Sequence, residues 1–201
     1  MFITLEGGEG AGKSTQAALL SDRLAAAGRP VLRTREPGGA PGAEILRNLL
    51  LGGSVEWSPS AETHLHFAAR AEHLARTILP ALATGTVVVC DRFADSTMAY
   101  QGYGLGADRA LIAGLTNLLP IQPDLTLLLH VGADTGTARM TSRPGSLDRY
   151  ERLDAAFHAR VAAGFEALTV ANPGRIVRID GEGEVAVVSE RIWAVVSPRL
   201  A

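Results

Sequence analysis

The chain has 201 residues, 47% of them hydrophobic, with 19 basic against 21 acidic side chains. This length suits one domain with a substantial core, and the apolar content argues against disorder. The near balance of charge excludes a protein that binds nucleic acid or a membrane surface through bulk charge. Cys90 is the only cysteine, so no intramolecular disulfide can form and we expect a cytoplasmic protein. No apolar run approaches the roughly 18 residues of a membrane helix, and no targeting segment is recognisable, so we expect no membrane partner.

Short apolar, β-branched runs alternate with longer helical patterns along the chain. The strand-like runs cover 2–5, 30–34, 86–90, 125–131 and 175–179, and the helical patterns cover 14–27, 61–83, 154–171 and 184–196. Such alternation predicts an α/β fold, with a parallel sheet covered by helices on both faces. No linker interrupts the pattern, so we expect a single domain over 1–201. Clusters of glycine and proline at 36–42 and 143–146 are interpreted as loops beside a site.

The first apolar run leads directly into the sequence GGEGAGKS. Gly7, Gly12, Lys13 and Ser14 meet the pattern GxxxxGK[ST], between a predicted strand and a predicted helix. In that context backbone N–H groups and the helix N-terminus cradle phosphates, the lysine reaches the β and γ phosphates, and the hydroxyl ligates Mg²⁺. A glycine-rich turn without a ligand is the alternative, which the position of the lysine and serine disfavours. We therefore predict a P-loop that binds ATP.

The third apolar run, TVVVC, ends in Asp91 and Arg92. Because the carboxyl ends of parallel strands meet at one edge of a sheet, Asp91 should lie near the P-loop and its metal. The alternative is an ordinary surface ion pair at a strand end. We predict that Ser14 and Asp91 form the Mg²⁺ site.

Arginines recur after predicted strands and in loops. They are Arg35, Arg92, Arg139, Arg143 and Arg149. The planar guanidinium group grips phosphate with two hydrogen bonds, so this distribution suits a second phosphorylated substrate facing ATP. Each arginine taken singly is more often a solvated surface residue.

Two further groups of side chains could complete a pocket. In 61–83, Phe67, Leu74 and Ile78 share one helical face and are the expected core stripe. A different face carries polar groups that could line a cleft or simply be solvated: Thr63, His66, Arg70, His73 and Thr77. The second group is Ser96, Tyr100 and Gln101, which suit a base or sugar but could also form a polar turn.

Six motifs occur together in a specific order. They are LEGGEGAGKST (5–15), TREPGG (34–39), AAR (68–70), DRFADSTMAYQG (91–102), PDLTLLL (123–129) and LDRYE (147–151). In this order and spacing the chain resembles bacterial thymidylate kinases over most of its length. The resemblance implies a P-loop NTPase fold with a five-stranded parallel sheet, a mobile lid over about 136–149 and a homodimer. It also implies transfer of the γ-phosphoryl group from MgATP to dTMP, for dTTP synthesis.

The resemblance assigns roles to individual residues. The ATP site would comprise Gly7, Gly8, Glu9, Gly10, Ala11, Gly12, Lys13, Ser14 and Thr15, with Arg139 over the adenine and the loop from Asp180 to Gly183 closing on the base. The dTMP site would comprise Arg35 and Arg92 on the phosphate, Arg70 on thymine with Ser96 and Gln101 assisting, Tyr100 against the deoxyribose, and Glu9 near the sugar or phosphate. The catalytic set would be Lys13, Asp91, Arg92 and Arg143, the last because an acidic residue at position 9 leaves the transition-state charge to a basic lid.

The chain departs from the family pattern at three places. His66 stands where the family usually has a phenylalanine that stacks on thymine, and Phe67 follows it. Since His66 shares a helical face with Arg70, we expect the imidazole to stack on the base. His130 replaces a frequent aspartate, and Pro144–Gly145 lengthens the lid.

Three other functions are compatible with a P-loop. A GTPase-like switch would normally carry an NKxD motif, and none of Asn48, Asn117 or Asn172 is followed by lysine. A non-catalytic ATP-binding module is disfavoured by intact Lys13, Ser14 and Asp91. Another P-loop nucleoside-monophosphate or small-molecule kinase is separated from thymidylate kinase only by the resemblance of residues 91–102.

Overall fold

The computed structural model describes residues 1–52, 55–142 and 148–200. Its strands are β1 (Phe2–Glu6), β2 (Val31–Arg35), β3 (Val87–Asp91), β4 (Leu125–His130) and β5 (Ile176–Asp180). Its α-helices are α1 (Lys13–Ala26), α2 (Pro41–Leu51), α3 (Pro59–His73), α4 (Leu79–Ala83), α5 (Ala94–Thr97), α6 (Arg109–Asn117), α7 (Ala133–Ser142), α8 (Ala155–Ala171) and α9 (Val185–Val196). Two π-helical segments, Leu74–Ile78 and Met98–Gly104, and a 3₁₀ turn, Ser197–Arg199, complete the described elements.

The five strands form one sheet in the order β2-β3-β1-β4-β5, and every adjacent pair is parallel. All five residues of β1 are buried, as are the first four of β3, because helices cover both faces of the sheet. The expected parallel α/β fold is therefore confirmed, and each strand lies within one residue of the predicted run. Its carboxyl edge carries Glu6, Arg35 and Asp91, with Asp91 in register with Leu5 on one side and Arg35 on the other.

Helix α3 and the π-helical segment after it bring the predicted polar face into the molecule. Thr63, His66, Arg70 and His73 are all buried, so this face is not a solvated helix side. The expected core stripe is buried too, but it serves two clusters. Phe67 packs with Ala107 and Ile112, whereas Leu74 and Ile78 pack with Phe2, Val88 and Phe93 beneath the sheet.

Among the described residues, no helix has both the length and the apolar character that crossing a membrane requires.

Candidate active site

The P-loop runs from β1 into α1 as a turn that only glycine can build. Gly7, Gly10 and Gly12 have φ angles of 141°, 70° and 88°, a region that side chains rarely adopt. A Cβ on Gly10 would lie 2.1 Å from the carbonyl oxygen of Gly136 in α7. Gly12 begins α1 without a side-chain cap, which leaves the first N–H groups of the helix for a ligand.

Lys13 follows this turn and is the only lysine of the chain. Its Nζ donates to the carbonyl oxygens of Gly7 at 3.1 Å and Gly8 at 2.6 Å. Burial lowers the pKa of Lys13 to about 8, and the nearby charge of Arg92 acts in the same direction. The Lys13 amine therefore lies next to the P-loop. An anion bound at the loop would stabilise the protonated form of this amine.

Ser14 and Asp91 meet at the end of β3. The Ser14 hydroxyl donates to Asp91 Oδ2 at 2.5 Å, while Asp91 Oδ1 is buried and finds no hydrogen-bond donor in the described part of the chain. A hydroxyl beside a carboxylate offers the hard oxygen donors that Mg²⁺ prefers. No group of three or more His, Cys, Asp or Glu side chains suited to a metal occurs among the described residues. This pair therefore fits Mg²⁺ held mainly by phosphates and water, as is usual in nucleotide sites.

Arg92 lies directly after Asp91 with a φ of 69°, the left-handed region. Its Nη2 donates to Glu9 Oε1 at 2.6 Å and to the Tyr100 hydroxyl at 3.0 Å, and its Nη1 donates to Ser96 Oγ at 3.2 Å. Burial opposes the charge of Arg92, but Glu9 outweighs it and raises the pKa of Arg92 well above its ordinary value. Burial would also raise the pKa of Glu9, yet Arg92 and then Lys13 hold it down at about 2. Both groups are therefore charged at neutral pH.

Beneath Arg92, the Glu6 carboxyl group is completely buried. It accepts hydrogen bonds from the Phe93 N–H at 2.7 Å and from the Ser96 hydroxyl at 2.5 Å. Burial, reinforced by the charge of Asp95, raises the pKa of Glu6 to about 8. Glu6 thus fixes the turn that carries Arg92, a role that the sequence did not indicate.

Arg35 lies on the other side of Asp91, at the end of β2. It is exposed, and its Nη2 lies 3.1 Å from both carboxylate oxygens of Glu44. Arg47 from α2 lines the same cavity and donates to the carbonyl oxygen of Pro37 at 2.6 Å. Arg47 was not predicted for the site, because α2 was not recognised in the sequence.

Arg70 is held on three sides within α3. Its Nε donates to Glu36 Oε2 at 2.8 Å, its Nη2 donates to Thr97 Oγ1 at 3.0 Å, and its guanidinium lies 4.8 Å from the ring centroid of Phe67. Its Nη1 is buried and has no acceptor among the described residues, although the side chain lines the cavity. Such a group is available to donate to a ligand in the cavity. Ser96, expected to assist at the base, contacts Arg92 and Glu6.

His66, one turn earlier, also lines the cavity, whereas Phe67 faces the core. The His66 Nε2 lies 3.0 Å from the Tyr150 hydroxyl. Burial, with Arg70 next in importance, lowers the pKa of His66 to about 3, so the imidazole is neutral at physiological pH. The side chain is positioned as the helical spacing predicts, and its stacking on a base stays a prediction.

The segment around Tyr150 docks on α3. Tyr150 donates to Glu62 Oε1 at 2.7 Å, and Gln101 Nε2 lies 3.0 Å from the Tyr150 oxygen. Arg149, expected near a phosphate, instead lies 2.6 Å from Glu62 Oε2. Neither Glu62 nor Tyr150 was predicted for the site. The motif LDRYE was the only sequence signal for Tyr150.

Arg139 connects α7 to the loop after β5. Its Nη1 and Nη2 donate to the carbonyl oxygens of Gly181 and Gly183 at 3.1 and 3.2 Å. These are the elements expected around the adenine. His130, at the end of β4, lies 3.6 Å from Glu166. The proposed catalytic Arg143 and the Pro144–Gly145 insertion lie outside the described residues, so the lid predicted over 136–149 stays a prediction.

These side chains converge on one cavity of about 660 Å³, a volume that suits nucleotide-sized ligands. We call the part around residues 9–15 and Arg139 the donor end, and the part around His66, Arg70, Gln101 and Tyr150 the acceptor end. The predicted residues that line the cavity are Glu9, Gly10, Ala11, Gly12, Lys13, Ser14, Thr15, Arg35, His66, Arg70, Asp91, Arg92, Ser96, Tyr100, Gln101 and Arg139. Gly7 and Gly8 instead offer their carbonyl oxygens to Lys13 from below.

A P-loop at the carboxyl edge of a parallel sheet, facing an arginine-lined pocket, defines a nucleotide kinase of the P-loop class. The family model for thymidylate kinase matches residues 5–192. The chain therefore belongs to the thymidylate kinase family, and the resemblance found in the sequence is confirmed.

Similar proteins extend over the whole chain. It is 54% identical to a thymidylate kinase of Gluconobacter oxydans, covering 97% of this chain and 94% of that one. It is 50% identical to a thymidylate kinase of Caulobacter vibrioides, covering 99% and 97%. The crystal structure of thymidylate kinase from Ehrlichia chaffeensis superposes with a TM-score of 0.80 at 35% identity, covering 98% of each chain.

Proposed function

We propose that the chain transfers the γ-phosphoryl group of ATP to dTMP, giving dTDP for dTTP synthesis. The observation that carries this proposal is one cavity with a P-loop at its donor end and, at its acceptor end, Gln101 and an Arg70 donor that has no acceptor among the described residues. Membership of the thymidylate kinase family supports the same substrate pair.

At the donor end, the N–H groups of the P-loop and the Lys13 ammonium bind the ATP phosphates. Mg²⁺ held near Ser14 and Asp91 would neutralise charge on those phosphates. The Asp91 oxygen that lacks a donor among the described residues is suited to a water molecule on the metal. Arg139, fixed on the loop after β5, would cover the adenine.

At the centre of the cavity, Arg92 and Arg35 bind the acceptor phosphate. Glu9 and Tyr100 hold Arg92 by direct hydrogen bonds, so the guanidinium is oriented before substrate arrives. The attacking oxygen belongs to an ionised phosphate, so the reaction needs no general base. Catalysis by this chain is then positioning and charge stabilisation. We propose that Arg143 adds charge at the transition state, because the acidic Glu9 occupies the P-loop position where an arginine could otherwise stand.

At the acceptor end, Arg70 donates to a carbonyl oxygen of the base and His66 packs on its ring. Tyr100 lies edge-on to Tyr150, with ring centroids 5.6 Å apart, and closes the space beside the sugar. A tyrosine locked there would exclude a 2′-hydroxyl and favour deoxynucleotides.

Assembly and location complete the proposal. We expect a homodimer, for which the exposed Ile45 and Leu49 on α2 offer an apolar face. A cytoplasmic location would suit an enzyme that draws on ATP and nucleotide pools. We expect no nucleic-acid or membrane partner.

A coupled ADP-release assay with MgATP and a panel of nucleoside monophosphates tests the function. We expect dTMP to give the highest kcat/KM of a panel with AMP, CMP, GMP and dCMP. The alternative, another P-loop nucleoside-monophosphate kinase, would be supported if AMP, CMP or GMP were phosphorylated as well as dTMP.

A further inference from the structure

Glu62 is a completely buried carboxylate on α3, close to the acceptor end. Two donors reach its Oε1, the Tyr150 hydroxyl at 2.7 Å and Gln101 Nε2 at 2.9 Å. Its Oε2 forms an ion pair with Arg149 Nη1 at 2.6 Å, a contact without hydrogen-bond geometry. A buried carboxylate is tolerated only when it is paired in this way. The arrangement therefore calls for an explanation beyond the packing of α3.

The carboxylate fixes the orientation of the Gln101 amide. Glu62 can only accept hydrogen bonds, so the amide must turn its NH₂ group toward it. The Tyr150 hydroxyl donates its hydrogen to Glu62 and accepts the second amide hydrogen of Gln101, at 3.0 Å. Both donors of Gln101 are thereby used. Its Oε1 is left without a donor from any described residue, on a side chain that lines the cavity.

Arg70 supplies the complementary group. Its Nη1 is a buried donor without an acceptor in the described part of the chain, and it belongs to the same end of the cavity. A donor together with an acceptor matches a ligand edge that carries a carbonyl oxygen next to an N–H. The O4 and N3–H of thymine or uracil form such an edge. Cytosine presents an amino group and a bare N3 there, so both of its contacts would be reversed.

We infer that Glu62 is a specificity-determining residue, which acts by fixing the Gln101 amide so that the site accepts pyrimidines with an N3–H. This inference rests on the proposed function and deepens it. Glu62 does not touch the base itself; it is a positioning residue. Its pairing with Arg149 also ties base selection to the docking of residues 148–151 on α3.

The test is kcat/KM for dTMP, dUMP and dCMP in wild type and in Glu62→Gln. The substituted amide can offer its own NH₂ to Gln101, so the Gln101 amide can turn and present hydrogens to the cavity. We expect the dTMP-to-dCMP ratio of kcat/KM to shrink about tenfold, mainly through a higher KM for dTMP, because a buried polar group is then mismatched. The KM for ATP should not change. Glu72→Gln is the matched control, because Glu72 pairs with Arg76 on the outer side of the same helix.

Two further variants separate positioning from folding. Glu62→Asp keeps the charge opposite Arg149 but withdraws it from Gln101, and we expect the same loss of discrimination. In a Gln101→Ala background, Glu62→Gln should no longer change the ratio, since there is no amide to orient. An unchanged dTMP-to-dCMP ratio in folded Glu62→Gln or Glu62→Asp overturns the inference, as does a full effect in the Gln101→Ala background. A wild type that phosphorylates neither dTMP nor dUMP refutes the proposed function instead, so the two failures are distinct.

Discussion

The donor end and the acceptor end of the cavity are built from different parts of the polypeptide. At the donor end the geometry comes from the main chain, with three glycines at positive φ and the start of α1 within one short stretch. At the acceptor end it comes from buried carboxylates that hold distant side chains. Glu36 holds Arg70, and Glu62 holds Gln101 and Tyr150.

The two kinds of construction suit what each end of the cavity must recognise. Phosphate is recognised in the same way whatever the nucleotide, so backbone N–H groups suffice at the donor end. A base must be distinguished by its hydrogen-bonding edge, which requires side chains in fixed orientations. We therefore expect substitutions at the donor end to lower turnover or ATP binding, and substitutions at the acceptor end to change dTMP binding together with stability.

The largest effect is expected for Lys13→Met, at the donor end. The substitution removes the only lysine, while methionine keeps most of the buried volume. We expect kcat to fall by about 10³-fold because charge on the transferred phosphoryl group loses its fixed cation. Steady-state ADP release measures kcat, and thermal unfolding checks the fold. A kcat within tenfold of wild type would show that the P-loop lysine does not serve the transition state.

Arg70→Met probes the acceptor end. We expect the KM for dTMP to rise about 100-fold, since one donor to the base is lost and its partner groups are left unpaired. The variant should also lose about 3–5 kcal/mol of unfolding free energy, because the buried Glu36 loses its arginine partner and keeps, among the described residues, the contact with His73 Nδ1 at 3.0 Å.

The control for this variant is Arg76→Met, whose arginine is exposed and pairs with Glu72. It should leave the KM for dTMP unchanged. Its free energy of unfolding should change by no more than about 0.5 kcal/mol. Urea denaturation and dTMP titrations give both quantities. A KM for dTMP unchanged in Arg70→Met would remove Arg70 from the base site.

The smallest effect is expected for Gly10→Ala, which tests whether the donor end depends on backbone contact with α7. The new Cβ would lie 2.1 Å from the Gly136 carbonyl oxygen, so the loop or α7 must move. We expect the KM for ATP to rise about tenfold, with the KM for dTMP little changed. Gly28→Ala is the matched control, because Gly28 has a similar φ of 75° and no atom of a described residue within 4 Å of its Cβ position. If the two substitutions raised the KM for ATP equally, φ strain and not contact with α7 would explain the change.

Local patterns in the sequence predicted the parts of the fold that depend on local physics. Strands buried on both faces are continuous apolar runs, and the P-loop is one contiguous motif. The positions of both along the chain could therefore be predicted closely. Helix α2 was missed because its first turn begins at Pro41, inside the glycine- and proline-rich cluster 36–42 that was interpreted as a loop. Without α2, Arg47 could not be placed in the site.

The acceptor end could be predicted only in part. Helical spacing indicated that His66 and Arg70 share a face, but not what would hold them. Glu62 and Tyr150 are 88 residues apart, and Glu36 and Arg70 are 34 apart. Contacts over such separations follow from the packing of whole elements, which a single sequence does not encode in any local signal. The roles of the site residues stay predictions until they are measured.

Lys13 also makes the chain a selective target for amine-directed reagents. Every other basic side chain except the histidines is a guanidinium, so an amine-directed reagent can find only Lys13 and the α-amino group of Met1. Burial lowers the pKa of this amine to about 8, so part of it is the unprotonated, nucleophilic form near neutral pH. Acylation followed by mass spectrometry of the peptide that contains Lys13, which separates it from Met1, would then count protected and unprotected molecules. The protein thus carries its own single-site chemical reporter of nucleotide occupancy.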